Sequence, residues 1–140
     1  MADRFEPILP GSYLGILGGG QLGRMFTQAA QAMGYKVCVL DPASESPAGS
    51  IAEKFIQADY TDSAALKEMA SLCASVSTEF ENVPAHTAAF LEARCPVRPG
   101  PRALAITQDR FTEKSFLNDL GIPTAPFAAD RKSTRLNSSH

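Results

Sequence analysis

The chain is poor in the residues from which metal centres and disulfide frameworks are built. Its 140 residues include three cysteines, Cys38, Cys73 and Cys95, and two histidines, His86 and His140. Neither histidine has a metal-ligating neighbour at useful spacing, so no zinc site is expected. The cysteines are odd in number and far apart, and two of them fall inside predicted elements. That pattern points to buried free thiols in a reducing, cytoplasmic setting rather than to disulfides. Charge of one sign is lacking too. Thirteen basic and fifteen acidic side chains leave a net charge of −2, which gives no electrostatic footprint for nucleic acid or an anionic membrane. No apolar run approaches the roughly 20 residues of a membrane span. The opening Met-Ala-Asp-Arg-Phe-Glu leads into no apolar signal segment.

What the chain does have is a glycine turn at the start of an alternating α/β pattern. Tyr13 to Leu17 forms a short apolar run, and Gly18, Gly20 and Gly23 follow it in the G-x-G-x-x-G spacing. Leu22, Met25, Phe26, Ala29, Ala30 and Met33 then fall on one face of an α-helix from Gln21 to Met33, closed by Gly34. Further strands are expected at Val37–Leu40, Phe55–Ile56, Val76–Phe80 and Val97. Helices are expected from the capping Asp62 to about Cys73, and from Pro84 to about Arg94. This rhythm predicts a Rossmann-like parallel sheet with helices on both faces.

After Pro101 the rhythm changes to two helical pieces, Arg102–Gln108 and Asp109–Leu120, the second stopped by Gly121 and Pro123. Thr124–Ala128 reads as the first strand of a second domain cut short. Residues 131–140 hold one apolar side chain and no periodicity, and are expected to be a disordered tail foreign to the fold.

Three groups of residues carry candidate chemistry. The glycine turn, with Asp41 lying 18 residues beyond Gly23, has the spacing of a dinucleotide site, with pyrophosphate on the helix N-terminus and the acid on a ribose. The same glycines also serve a tight turn with no nucleotide at all. Gln21, just inside the turn, has an amide able to donate and accept toward a ligand, or is a surface glutamine. Glu79 and Glu81, at the expected end of a central strand, can bind an amine or hydroxyls, or are solvated loop charges. Arg110 and Lys114, four apart on one helix face, suit a phosphate, although Asp109 and Glu113 dilute the charge.

Five strings taken in order make a more specific pattern. They are Gly-Gly-Gly-Gln-Leu-Gly-Arg-Met at 18–25, Leu-Asp-Pro at 40–42, Thr-Glu-Phe-Glu-Asn-Val-Pro at 78–84, Gln-Asp-Arg-Phe-Thr-Glu-Lys at 108–114 and Gly-Ile-Pro-Thr-Ala-Pro at 121–126. Together they resemble the 5-(carboxyamino)imidazole ribonucleotide synthetases, ATP-grasp ligases of bacterial and fungal purine synthesis. The resemblance spans about Tyr13 to Phe127 and demotes the dinucleotide-dependent oxidoreductase, leaving a non-catalytic binding module as the other alternative.

The resemblance implies a pre-ATP-grasp domain over residues 1–100, a Rossmann-like sheet that binds no dinucleotide. Residues 101–130 become the truncated start of an ATP-grasp domain. It implies ATP-dependent carboxylation of aminoimidazole ribonucleotide with bicarbonate, with magnesium as cofactor, in a cytoplasmic homodimer that contacts neither nucleic acid nor membrane. By matching position, Arg110 is implied in ATP binding, and Gln21 and Glu79 in substrate binding beside the turn of Gly18, Gly20 and Gly23. Catalytic residues and magnesium ligands are expected outside this stretch, so the fragment alone is expected to be inactive.

Overall fold

The computed structural model describes residues 6–129; the expected tail at 131–140 lies outside them. Five parallel strands form one sheet: β1 (Tyr13–Leu17), β2 (Lys36–Asp41), β3 (Lys54–Gln57), β4 (Cys73–Thr78) and β5 (Val97–Arg98), in the order β3-β2-β1-β4-β5. The connections supply the helices α1 (Gln21–Ala32), α2 (Ser63–Leu72) and α3 (Ala85–Glu92), and the chain leaves β5 into α4 (Pro101–Thr107) and α5 (Arg110–Asp119). Central position explains composition: β1 and β2, paired on both sides, present Ile16, Leu17, Val37, Cys38, Val39 and Leu40, all at 2% exposure or less. Such near-continuous apolar runs mark parallel strands covered on both faces.

Alternation along β1 divides the core. Leu14 and Ile16 face one side, where they meet Val37, Val39 and Ala30 of α1. Tyr13 and Leu17 face the other, where Leu66 and Met69 of α2 and Ala88 and Leu91 of α3 close a larger cluster with Val76 and Val97. Gly15 sits between them for a steric reason. A Cβ there would fall 2.9 Å from Val76 Cγ2 and 3.1 Å from Cys73 Sγ. The missing side chain leaves room for Cys38 and Cys73, on the two strands flanking β1, to bring their thiols into hydrogen-bond contact.

The structure corrects three sequence expectations. α1 forms where expected, but turns most of its apolar stripe outward. Leu22, Met25 and Met33 are more than 60% exposed, while Gly23, Thr27 and Ala30 are buried. Close approach of helix to sheet selects small residues, and Thr27 satisfies its hydroxyl on Gly23 O at 2.7 Å. The fourth strand begins at Cys73, directly from α2, and ends at Thr78 rather than Phe80. Thr124–Ala128 forms no strand, for no pairing partner lies beside it among the described residues. There Phe127 packs edge-on against Phe111 at 5.5 Å.

Candidate functional site

The carboxyl ends of parallel strands are where ligands collect in open α/β sheets, and here the chain gathers its unusual residues at that edge. Gly18 follows β1 with φ +100°, a conformation that L side chains rarely adopt. Its N–H donates to Leu40 O at 2.9 Å. The next two amides point at carboxylates. Gly19 N donates to Asp41 Oδ2 at 2.7 Å, and Gly20 N donates to Glu79 Oε2 at 2.8 Å. These are the groups that a dinucleotide pyrophosphate takes at a Rossmann turn, and the protein has filled both places with its own anions. A pyrophosphate entering here meets two carboxylates at hydrogen-bond range instead of free donors.

All three motif glycines now have steric reasons, two of them supplied by Glu79. A Cβ on Gly18 would lie 2.8 Å from Glu79 Oε2, and one on Gly20 would lie 2.5 Å from Glu79 Oε1. One on Gly23 would lie 2.5 Å from the carbonyl oxygen of Gly18, which is how closely α1 seats against the turn. The spacing that suggests a nucleotide therefore accommodates Glu79 and the helix.

The loop after β2 completes the turn. Asp41 holds Gly19 with one oxygen and Ala43 N at 2.7 Å with the other. The hydroxyl of Ser46, a buried residue, donates to Gly19 O at 2.9 Å and accepts from Gly49 N, while Ala48 N also donates to Gly19 O. Arg24 reaches Pro47 O at 3.2 Å. Sequence reasoning missed Ser46 altogether, because a serine in a Ser/Pro/Gly loop carries no signal of what it will touch. For Asp41 the Leu-Asp-Pro string was the available signal, and the structure gives this acid a partner inside the chain. Tyr60 closes the group, its hydroxyl 3.5 Å from Asp41 Oδ2 and its ring edge-on to Phe80 at 5.9 Å. Burial, then the charges of Asp41 and Glu79, push the Tyr60 hydroxyl above its ordinary pKa, so it stays a neutral donor.

Glu79 stands one residue past β4, and its own N–H extends the ladder to Leu17 O at 2.9 Å. It caps Gly20 and also lines a cleft of about 470 Å³ with Thr78, Phe80, Glu81, Arg110 and Glu113. The cleft thus joins two candidates that lie 31 residues apart in sequence, Glu79 and Arg110. Arg110 is the first residue of α5, 76% exposed, with Glu113 Oε2 at 3.9 Å. Lys114 is not brought into the cleft; its ammonium lies 5.7 Å from the centre of the Phe127 ring. Gln21 is exposed at the start of α1, directly after the Gly20 that Glu79 holds. Chemically the cleft offers the Glu79 and Glu81 carboxylates on one wall and, on the other, the Arg110 guanidinium fork with Glu113 beside it. That set suits a ligand with donor groups at one end and phosphate at the other.

The ribonucleotide synthetase pre-ATP-grasp domain model matches residues 12–108. An N5-carboxyaminoimidazole ribonucleotide synthase from Brucella melitensis is 50% identical over 118 residues, covering 84% of this chain and 33% of that protein. The crystal structure of the Staphylococcus aureus N5-carboxyaminoimidazole synthetase with ADP superposes with a TM-score of 0.85 at 41% identity, over 91% of this chain and 35% of that one. The Aspergillus clavatus synthase, in complex with ADP and 5-aminoimidazole ribonucleotide, gives 0.75 at 31% identity over 83% of this chain and 31% of that one. The chain thus spans about a third of the length of the relatives it matches.

Proposed function

The chain belongs to the ribonucleotide synthetase pre-ATP-grasp family, and from that premise we propose that it is the N-terminal third of an ATP-dependent carbon–nitrogen ligase. The reaction carboxylates 5-aminoimidazole ribonucleotide with bicarbonate, giving the N5-carbamate, ADP and phosphate, a step of purine biosynthesis. Residues 1–100 form the pre-ATP-grasp domain, and 101–130 begin the ATP-grasp domain, whose remaining residues supply the magnesium ligands and most of the ATP site. The enzyme works in the cytoplasm as a homodimer.

The observation that carries this reading is the cleft shared by Glu79 and Arg110. Glu79, already fixed by Gly20 N, holds its second oxygen where a substrate amine or ribose hydroxyl can donate to it. Gln21, exposed and next to Gly20 in the chain, is the second substrate contact in this reading. Arg110 presents a planar fork to phosphoryl oxygens, where charge-assisted bonds are the strong ones. The protein's share of the chemistry is to place the amine beside activated bicarbonate and to steady phosphoryl charge. The glycine turn takes no part as a phosphate cradle, since Asp41 and Glu79 occupy its amides.

The test is steady-state kinetics of the full-length enzyme. Arg110→Ala should raise the KM for ATP about tenfold or more, the loss of one charge-assisted contact. Glu79→Gln should raise the KM for aminoimidazole ribonucleotide by roughly 5- to 150-fold and leave that for ATP nearly unchanged. A wild-type enzyme that consumes no ATP with this substrate, or that binds a nicotinamide dinucleotide at micromolar concentration, overturns the reading.

A further inference from the structure

Arg110 sits on a helix with no buried residue of its own, and its guanidinium is mostly exposed. Something else must decide where it stands relative to Glu79. The chain supplies a tie two residues upstream. Gln108 is the C-terminal cap of α4 and directly precedes Asp109, the N-terminal cap of α5. Its side-chain Nε2 donates to Glu81 O at 2.8 Å and also to Val83 O. Both hydrogens of one amide are thereby spent on one loop, the segment that follows Glu79 and carries Glu81. The anchors on either side are firm, for Val83 and Leu104 are 2% exposed or less.

We propose that Gln108 is a positioning residue that holds Arg110 in register with the Glu79–Glu81 loop, so that the phosphate contact and the amine contact are presented by one rigid edge. The inference rests on the reading of Arg110 as an ATP-phosphate ligand. Gln108 itself touches neither ligand and acts through the α4–α5 junction. Leucine is apolar and offers neither donor, while glutamate, which keeps the shape of glutamine, sets a carboxylate against two carbonyl oxygens.

The experiment is titration calorimetry of the full-length enzyme with magnesium-ATP, for wild type, Gln108→Leu, Arg110→Ala and the double variant. Gln108→Leu should weaken ATP binding about fivefold and leave the KM for aminoimidazole ribonucleotide within about twofold. In the Arg110→Ala background it should cause no further loss, because its only route to the nucleotide is gone. An unchanged ATP Kd in Gln108→Leu, or losses that multiply in the double variant, overturns the proposal. An unchanged Kd in Arg110→Ala overturns both it and the role given to Arg110. A wild type that binds ATP but carboxylates nothing, with the Gln108 effect intact, sinks the functional reading alone.

Should Gln108→Leu fail to fold, Gln108→Glu serves instead. Protonation returns one donor hydrogen, so its ATP Kd relative to wild type should improve as the pH is lowered from about 7.5 to about 5.5. A ratio that does not change with pH overturns the proposal.

Discussion

Three described helices of this chain begin with a carboxylate on a backbone amide, and two of them, α5 and α1, do it in opposite ways. At α5 the carboxylate is local. Asp109 accepts from Thr112 N and from the Thr112 hydroxyl, both at 2.8 Å, as an ordinary N-cap does. At α1 the capping position is Gly20, which has no side chain to offer, and the neighbouring amides are met by Asp41 and Glu79, 22 and 59 residues away. The local cap decides whether one helix starts. The distant caps fix three strand ends relative to one another, and leave a carboxylate in a cleft while doing so. At α1 the same physics therefore builds a site, and at α5 it builds only a helix.

The sharpest way to break the contrast is to push α1 off its turn. Gly23→Ala places a Cβ against backbone, 2.5 Å from Gly18 O, which cannot swing away. Urea unfolding should show a loss of about 3 kcal/mol, at the upper end for overpacking. A loss below about 1 kcal/mol means that the turn yields and its geometry is not what holds Glu79.

Removing the distant cap itself should cost somewhat less. Glu79→Ala leaves Gly20 N without its partner, a penalty of about 1–3 kcal/mol in the same measurement, whereas Glu79→Gln keeps an acceptor and should recover most of it. If the two variants are equally unstable, negative charge at the helix start matters more than the bond. Combined with the kinetic effect of Glu79→Gln, this separates the two duties of one side chain.

The local cap should give the smallest effect and the most confined one. Asp109→Ala should speed amide exchange in the first turn of α5 and nowhere in the sheet. Its pH dependence has a definite sign. Bonds from Thr112, backbone first, hold the Asp109 carboxyl below its ordinary value of 3.8. A lowered folded value means that the cap contributes fully above 3.8 and is lost as the pH falls through the folded pKa. Protection of α5 should therefore collapse only in strong acid, and Asp109→Asn should remove that dependence.

This contrast also explains what was legible in the sequence. Strands, most helices and the caps at Asp62 and Asp109 follow from neighbours within three or four residues, and they formed close to where the pattern placed them. The α/β class and the parallel sheet followed from their alternation. The inward face of α1 did not follow, because the stripe of Leu22, Met25 and Met33 is louder than Gly23, Thr27 and Ala30. Helix–sheet distance, which demands small residues, has no local signature. The expected strand at Thr124–Ala128 failed on the same ground, since a strand exists only with a partner. At the site, the strings pointed to Glu79 and Arg110 as separate elements. Their common cleft, the Asp41–Gly19 bond and the tie from Gln108 are tertiary facts that no spacing records.

The vacancy at Gly15 gives this protein a built-in clock. Cys38 and Cys73 lie two strands apart, about 9–10 Å at the backbone, so their thiols meet over the glycine yet cannot close a disulfide, which needs Cα atoms within about 7 Å. The hydrogen bond to Cys38 and burial push Cys73 well above the ordinary thiol range, and burial raises Cys95 as well. All three thiols are buried, and the raised pKa values of Cys73 and Cys95 keep those two slow toward an alkylating reagent while the fold is closed. Alkylation of Cys73, at the start of β4, then marks an opening of the central sheet, and its labelling rate reads out how often that opening occurs without any engineered probe.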